Sequence, residues 1–394
     1  MTKNCAIVCE YNPFHTGHLY QLNKVRDFGA ENIFCIMSGQ FVQSALPAFC
    51  DKALRAECAV MGGADAVIEL PAVYATAAAW QFAEGAIKII SGIKDITHIA
   101  MGAFASSDTI LRTAELKIKN ENSFSKELKK ELDSGKSYNT AGIAALTRLY
   151  NKAYPGDHSV DEVFIDPNSI LAIEYICAID KFASSIQPLI IKREGGKYND
   201  TDISEKYISA SAIRQAYETD NTDKVLPYIP YMQNEMHAFY REHAADMSLY
   251  GKMAVFALKK STPDELNTLR DCSEGLEYLL KNFDKYSNFE QYIDSAVCRR
   301  YGKKRIYRLF TSLLLGITKN AATKKFVTRL LACKKNFDFS LLPECVKITN
   351  SAIKKAAENP EIAEVLKIDE TASALYNTLC SIDGDYYNYS LIKR

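Results

Sequence analysis

The chain has 394 residues, of which 47% are hydrophobic and 24% are charged. That length is enough for two domains with buried cores, and no apolar run is long enough to span a bilayer. The first residues, MTKN, carry no targeting signal, so we expect a cytoplasmic protein that does not bind a membrane. The eleven cysteines form no CxxC pair, which predicts reduced, mostly buried thiols and no structural metal site.

The formal net charge is zero, but the charges are unevenly distributed along the chain. Residues 226–394 contain 25 basic and 20 acidic side chains, whereas residues 1–225 contain 23 basic and 28 acidic ones. Within the second part, residues 295–337 include twelve basic side chains and no acidic one. Such an excess is typical of a surface that binds nucleic acid, although many basic faces are simply solvated.

The alternation of strands and helices predicts the fold class. Short apolar runs predict strands at residues 5–10, Asn32–Ser38, Ala66–Leu70, Thr97–Met101 and Pro188–Lys192. Segments with helical spacing, such as Lys52–Met61 and 75–90, lie between them, and βαβ units of this kind form parallel sheets. We therefore predict an α/β fold, with a Rossmann-like parallel-sheet domain over residues 1–226 and a mainly α-helical domain over residues 227–394.

The stretch 5–21 carries the most informative chemistry. A short strand and a turn are followed by His15, Gly17 and His18 where a helix begins. The unpaired N–H groups of a first helical turn favour anions, and Gly17 lets a ligand approach the backbone. Both imidazoles can donate hydrogen bonds to phosphate oxygens, more strongly when they are protonated. The pattern predicts catalytic histidines that stabilise charge during attack on the α-phosphorus of a nucleoside triphosphate.

This turn also carries a family resemblance. The His-x-Gly-His element resembles the one that nucleotidylyltransferases share with class I aminoacyl-tRNA synthetases. The longer string EYNPFHTGHL, residues 10–19, is more specific and resembles the bacterial tRNA(Met) cytidine acetate ligase family. The similarity extends through residues 37–41, 47–48, 63–65 and 67–71, and more weakly as far as residue 315.

The resemblance implies an ATP site at the carboxyl ends of the strands. Its predicted contacts are Val8, Cys9, Glu10, Tyr11, Asn12, Pro13, Phe14, His15, Thr16, Gly17, His18, Leu19, Tyr20, Gln21, Gly39, Gly102, Asn168, Arg193, Ser209 and Ser211. The two serines lie in ISASAIR, which resembles the Ile-Ser-Ser-Thr-x-x-Arg signature of nucleotidylyltransferases. Purely structural roles also fit some of these residues, because Gly39 and Gly102 suit turns, and Asn168 and Ser209 suit helix caps.

The basic segment supplies candidate RNA contacts. The apolar positions from Ile306 to Leu314 have helical spacing, which leaves the basic side chains on the solvent side. The predicted contacts are Arg299, Arg300, Lys303, Lys304, Arg305 and Arg308. Lys and Arg clusters bind phosphate backbones, and the interleaved Tyr301 and Tyr307 could stack on unpaired bases.

If the resemblance holds, the reaction has two steps. Acetate would attack the α-phosphorus of ATP to give acetyl-adenylate and pyrophosphate. The N4 amine of the wobble cytidine in elongator tRNA(Met) would then take the acetyl group and release AMP. Mg²⁺ is expected to bridge the phosphates, although no carboxylate cluster identifies protein ligands for it. The sequence gives no oligomeric state.

Two loops depart from the family pattern. Ser44-Ala45-Leu46 stands where the family usually has Arg-Gly-Glu, and Ala103-Phe104 stands where it has Ser-Glu. The departures leave two alternatives open. The chain could be an adenylyltransferase that acts on another small acid or phosphate, or a catalytically weakened protein that binds nucleotide and RNA.

Overall fold

A computed structural model describes residues 3–194, 207–281 and 289–394. Its sheet contains five parallel strands, which are β1 (Asn4–Cys9), β2 (Asn32–Ser38), β3 (Ala66–Leu70), β4 (Ile96–Ala103) and β5 (Gln187–Lys192). They pair in the order β5-β4-β1-β2-β3. The chain winds outward in one direction from β1 to β3 and then crosses to β4, so the strand order reverses between β1 and β4. Ligands of such sheets bind at this switch point, outside the carboxyl ends of the strands.

Helices cover both faces of the sheet. The helices of this part of the chain are α1 (Thr16–Asp27), α2 (Lys52–Met61), α3 (Ala72–Ala75), α4 (Ala79–Ile90), α5 (Ser107–Lys119), α6 (Glu121–Asp133), α7 (Tyr138–Ala153), α8 (Val160–Ile165), α9 (Pro167–Phe182) and α10 (Ala210–Glu218). Successive strand residues point to opposite faces, so Cys5 and Ile7 pack in one hydrophobic core and Ala6 in another. Burial on both faces explains why the strands read as continuous apolar runs.

The C-terminal part is mainly helical. Its helices are α11 (Gln233–His243), α12 (Met247–Lys260), α13 (Pro263–Thr268), α14 (Leu276–Leu280), α15 (Phe289–Ala296), α16 (Lys303–Leu315), α17 (Asn350–Ala356) and α18 (Pro360–Cys380). Within the described residues, no helix combines the length and apolar character needed to cross a membrane. The predicted fold class, with a helical C-terminal part, is therefore confirmed.

The C-terminal part also extends the sheet, which the sequence pattern did not predict. Strand β6 (Thr328–Cys333) pairs antiparallel with β3, and the short strands β7 (Val346–Lys347) and β8 (Ile392–Lys393) pair with β6. All six residues of β6 are buried, so the strand lacks the polar and apolar alternation that would distinguish it from a helix. A division at residue 226 remains a prediction, but it does not separate strands from helices.

The helix predicted at residues 75–90 begins later, at Ala79, because a separate short helix, α3, ends at Ala75. Buried Arg270 donates to the Val73 carbonyl, to the Thr76 carbonyl at 2.9 Å and to the Thr76 hydroxyl at 2.8 Å. These bonds satisfy carbonyl groups at the end of α3 that have no partner within the helix. The chain therefore turns before α4 begins at Ala79.

Candidate active site

The turn after β1 is held in place by aromatic packing on its buried side. Tyr11 adopts a left-handed backbone conformation with φ of 46°, and its ring packs edge-on against Phe14 with centroids 4.9 Å apart. Both side chains are buried. On the side of α10, the Arg214 guanidinium donates to the Asn12 carbonyl at 2.6 Å. The turn is thus fixed between the core and α10, and this positions the start of α1.

The two histidines form a reciprocal cap at the start of α1. His15 is the N-cap residue, and its Nδ1 accepts from the Gly17 backbone N–H at 3.0 Å. His18 Nδ1 accepts from the His15 backbone N–H at 3.2 Å. A ring nitrogen that accepts an N–H bond cannot carry a proton. Both rings are therefore neutral imidazoles with their hydrogen on Nε2, and their centroids lie 3.7 Å apart.

The electrostatic setting keeps the histidines neutral. Burial, assisted by Arg193 and Arg214, lowers the pKa of His15 to about 3. Burial lowers the pKa of His18 well below its usual value, and the neighbouring His15 and Arg193 make smaller contributions in the same direction. The stronger donation that protonated imidazoles would give is therefore not available in the free protein, because buried cations beside other cations lose their protons. The positive charge near the site comes instead from the two arginines and from the amino end of α1.

A pocket opens directly above this cap. Seven predicted residues line it, namely His15, Gly17, His18, Tyr20, Gln21, Gly102 and Arg193. The other lining residues are Ile191, Lys192, Glu194, Tyr207 and Ile208, which the sequence reasoning missed. Ile191, Lys192 and Glu194 lie beside Arg193, Tyr207 precedes the ISASAIR string and Ile208 is its first residue. Their positions in or beside two predicted elements were therefore an available signal.

Gly102 makes room for a side chain at the pocket floor. The residue lies inside β4, one position before its end, and not after the strand as expected. A Cβ atom added there would lie 3.3 Å from Arg193 Cγ, so even an alanine would press on the arginine. The Arg193 guanidinium lies over the Phe104 ring, 5.4 Å from its centroid. Gly102 therefore lets Arg193 cross the floor of the pocket.

The two serines lie at the amino end of α10. Ser209 is the N-cap, and its hydroxyl accepts from the Ala212 N–H at 3.0 Å. The Ser211 hydroxyl accepts from Arg214 at 3.1 Å. The cap role of Ser209 is thus observed, and contact of either serine with phosphate remains a prediction.

Asn168 does not line the pocket, and it is not the cap of its helix. The N-cap of α9 is Asp166, whose carboxylate accepts from the backbone N–H groups of Asn168 and Ser169, each at 3.0 Å. Pro167 occupies the first helical position. The missing N–H of a proline costs no hydrogen bond there, because that N–H has no partner within a helix, and the helix start therefore lies next to Asp166. The predicted cap is therefore wrong, and a nucleotide role for Asn168 remains a prediction.

Gly39 lies beside a buried ion pair and away from the pocket lining. A Cβ atom at Gly39 would overlap the Glu69 carboxylate, which pairs with Lys52 at 2.6 Å. Asp369 lies in the same cluster. Burial is the main cause that raises the pKa of Asp369 to about 7, and the charge of Glu69 contributes further. The packing of Glu69 is sufficient reason for a glycine here, so a role of Gly39 toward nucleotide stays a prediction.

Nine of the predicted ATP contacts are not among the residues that line the pocket. They are Val8, Cys9, Glu10, Tyr11, Asn12, Pro13, Phe14, Thr16 and Leu19. Burial raises the pKa of Cys9 well above its usual value, which excludes an activated thiolate there. The structure gives these residues a supporting position, and their contact with ATP remains a prediction.

Three basic residues of α16 are paired with acidic side chains that lie outside the helix. Arg308 binds both carboxylate oxygens of Asp271, at 3.0 and 3.1 Å, and Arg305 binds Glu274 at 3.1 Å. Lys303 binds Asp294 at 2.8 Å. Acids that lie before residue 295 therefore compensate part of the charge of this segment, which a count within the segment could not show.

The tyrosines of this segment are not available to bases. Tyr301 and Tyr307 are 7% and 8% exposed. Tyr301 donates to the Glu274 carbonyl and Tyr307 to the Glu290 carboxylate. Base stacking on these rings is thus contradicted. Arg299, Lys303 and Lys304 are exposed and Arg300 is partly exposed, and RNA contact by these side chains remains a prediction.

Comparisons with known proteins identify the family of the chain. Residues 2–388 match the HIGH Nucleotidyl Transferase family. A relative from Acetivibrio thermocellus named tRNA(Met) cytidine acetate ligase is 35% identical over 329 residues, which cover 80% of this chain and 78% of that protein. A relative of the same name from Clostridium perfringens strain SM101 is 30% identical over 403 residues, which cover 99% of each protein.

A solved structure supports the same assignment. The crystal structure of Thermotoga maritima TmcAL bound with alpha-thio ATP superposes with a TM-score of 0.87, at 25% identity and over 100% of both chains. The apo form of that protein gives a TM-score of 0.89. The chain therefore belongs to the HIGH Nucleotidyl Transferase family and, within it, to the tRNA(Met) cytidine acetate ligase family.

Proposed function

We propose that the chain is an ATP-dependent ligase that acetylates the N4 amine of the wobble cytidine in elongator tRNA(Met) through an acetyl-adenylate. One observation carries the proposal. Two neutral imidazoles, Gly17 and Arg193 border one pocket at the switch point of the sheet, in a chain 35% identical to a tRNA(Met) cytidine acetate ligase.

In the first step, a carboxylate oxygen of acetate attacks the α-phosphorus of ATP. The bond between the α-phosphorus and the bridging oxygen breaks, and pyrophosphate leaves. We assign the Nε2–H groups of His15 and His18 to the phosphate oxygens, where they oppose the charge that develops in the transition state. Neutral donors serve this purpose well, because they need not be desolvated as ions and they hold one tautomer throughout.

Arginines supply the charge that the imidazoles lack. Arg193 lines the pocket, and both Arg193 and Arg214 help to lower the pKa of His15, so we assign both arginines to the charge of a triphosphate bound above the cap. The amino end of α10, capped by Ser209, adds a partial positive charge. We assign this end of the pocket to the β- and γ-phosphates.

In the second step, the N4 amine of cytidine attacks the acyl carbon of acetyl-adenylate. The bond between that carbon and the phosphate oxygen breaks, AMP leaves, and the amine loses a proton. We assign part of the tRNA contact to the exposed side chains of Arg299, Lys303 and Lys304 and to the partly exposed Arg300. A cytoplasmic location follows from this substrate and belongs to the same proposal.

Mg²⁺ is expected to accompany ATP, but the part of the chain that the structure describes offers it no dedicated site. Among the described residues, no three His, Cys, Asp or Glu side chains lie together as metal ligands. Mg²⁺ keeps several waters and is often held by substrate phosphates with few protein ligands. We therefore assign its coordination to the triphosphate and to water, and no step is assigned to it.

Pyrophosphate release from ATP tests the proposal against its two rivals. We expect release to depend on acetate, and labelled acetyl to appear on tRNA(Met) when the tRNA is added. Release without acetate dependence would indicate an adenylyltransferase for another substrate. ATP binding without release would indicate a nucleotide- and RNA-binding protein. Propionate and formate, tested beside acetate, would measure how tightly the pocket selects its carboxylate.

A further inference from the structure

The loop that joins β2 to α2, residues 39–51, is a small, tightly bonded unit. Ala45 N–H donates to the Val42 carbonyl at 2.7 Å, and Val42 N–H donates to the Leu46 carbonyl at 3.1 Å. Ala48 N–H donates to the Gln40 carbonyl at 2.9 Å. The side chains of Val42 and Ala45 are buried. Buried loops with their own hydrogen bonds move as one piece, because bending them would leave polar groups unpaired.

One side of this loop is bonded to the turn that carries the catalytic histidines. The Gln43 N–H donates to the Glu10 carboxylate at 2.7 Å. The Phe49 N–H donates to the Asn12 side-chain oxygen at 2.6 Å. Glu10 and Asn12 lie between the end of β1 and His15, so a shift of the loop would move the residues that set the position of the cap.

The other side of the loop is bonded to C-terminal helices. The Thr311 hydroxyl on α16 donates to the Ala45 carbonyl at 2.5 Å, and the Tyr376 hydroxyl on α18 donates to the Ala48 carbonyl at 3.2 Å. The Tyr250 hydroxyl lies 2.8 Å from that of Thr311. Because Thr311 has already used its one hydrogen, Tyr250 must be the donor in this pair. Thr311, Ala45 and Tyr250 are fully buried.

We propose that Thr311 is a positioning residue for the nucleotide turn and couples α16 to the ATP site. The coupling runs from Thr311 through Ala45 and the 39–51 loop to Glu10 and Asn12. The inference rests on the proposed function, because the first turn of α16, about two turns before Thr311, carries the exposed Lys303 and Lys304, which we assign to tRNA. A tRNA bound at this end of α16 then changes the ATP site through a buried hydroxyl.

Thr311→Val tests the coupling, since it keeps the shape of the side chain and removes the hydroxyl. Buried Ala45 and Tyr250 would each lose a hydrogen-bond partner, and the loop would shift to recover them. Displacements near 1 Å can cost up to a hundredfold in rate. We expect about a tenfold lower kcat for acetate-dependent ATP–pyrophosphate exchange and about threefold weaker ATP binding.

Two matched variants separate positioning from packing. Ser312 is the next residue on α16, is fully buried, and its hydroxyl has no hydrogen-bond partner among the described residues. Ser312→Ala should leave kcat and ATP affinity within about twofold of the wild-type values and the melting temperature within about 1 °C. Thr311→Ser retains the hydroxyl and should restore kcat to within about twofold of the wild-type value.

The coupling itself is read from the effect of tRNA(Met) on ATP affinity. Saturating tRNA should change the Kd for ATP in the wild type and in Ser312→Ala, and much less in Thr311→Val. The proposal is overturned if Thr311→Val folds and matches the wild type in ATP affinity and kcat, or if Ser312→Ala is equally impaired. Wild-type protein without acetate-dependent exchange would overturn the proposed function instead, and ATP affinity would still test Thr311.

Discussion

The nucleotide turn and helix α16 both attracted attention through a dense cluster of one residue type, yet they have different outcomes. In the turn, the bonds that define the site join residues two and three positions apart, His15 with Gly17 and His15 with His18. In α16, the partner of Arg308 is Asp271, 37 positions away. Proximity in sequence therefore captured the arrangement of the two histidines and missed the charge pairing in α16.

The comparison teaches when a local pattern can be trusted. A helix start brings its first residues together through backbone geometry alone, so the His-x-Gly-His spacing nearly dictates the arrangement. A charge count over forty residues carries no such geometry, because tertiary contacts decide which charges are paired. The predictions that follow measure the difference between the two regions.

The largest effect is expected at the cap. His15→Asn and His18→Asn keep an acceptor for the backbone N–H but remove the Nε2–H donor. We expect acetate-dependent pyrophosphate exchange to fall about 10² to 10³-fold for each, the usual cost of losing one transition-state donor. Unfolding free energy should change by no more than about 1 kcal/mol, because Asn is a good N-cap. An activity loss matched by an equal loss of stability would mean that the histidines are only structural.

In α16, Arg308→Met should act on stability and not on RNA. The pair with Asp271 is largely buried, with side chains 16% and 13% exposed, so its loss should cost about 2–3 kcal/mol of unfolding free energy. Exposed Arg299→Met is the matched variant. It should leave stability within about 0.5 kcal/mol and lower the salt dependence of tRNA binding by about one unit. The opposite pattern would restore the simple basic-surface interpretation.

Acid should destabilise the protein through the cap. The unfolded chain protonates His15 near pH 6.5, whereas the folded chain does so near a pKa of about 3. The unfolded state thus binds more protons between these values, and the free energy of unfolding falls as the pH drops. We expect a loss of about 2 kcal/mol from His15 between pH 6.5 and 5. The free energy of unfolding of His15→Asn, measured with denaturant at each pH, should fall less steeply than that of the wild type as the pH drops. An equally steep fall in the two proteins would contradict the neutral cap.

The smallest expected effect concerns a departure from the family pattern. Ala45 has φ of 61°, in the left-handed region that favours glycine, and it stands at the glycine of the family's Arg-Gly-Glu. Ala45→Gly should raise the free energy of unfolding by about 1 kcal/mol and leave exchange activity unchanged. Destabilisation by this substitution would show that the alanine methyl group contributes packing that outweighs its backbone strain.

Much of the sheet could be predicted from local patterns. The bounds of β2, α2 and β3 are as predicted, because each is a short apolar or amphipathic run that ends at a glycine, proline or polar turn. The pocket residues His15, His18, Gly102 and Arg193 were also predicted. They lie at strand ends or helix starts, and parallel topology brings these positions to one edge.

The remaining features depend on contacts between distant segments. Strand β6 joins β3 from about 260 residues further along the chain, and no local signal marks that pairing. Gly39 is explained by Glu69, and the start of α9 by Asp166. The neutral state of the histidines depends on Arg193 and Arg214 as well as on burial, so it could not be inferred from a turn considered alone.

A co-crystal structure with a non-hydrolysable ATP analogue is the most direct test of the central claim. The account predicts that the phosphates lie within hydrogen-bond distance of Nε2 of both His15 and His18, with the triphosphate tail toward the amino end of α10. A triphosphate bound outside this pocket, or turned away from both imidazoles, would contradict it.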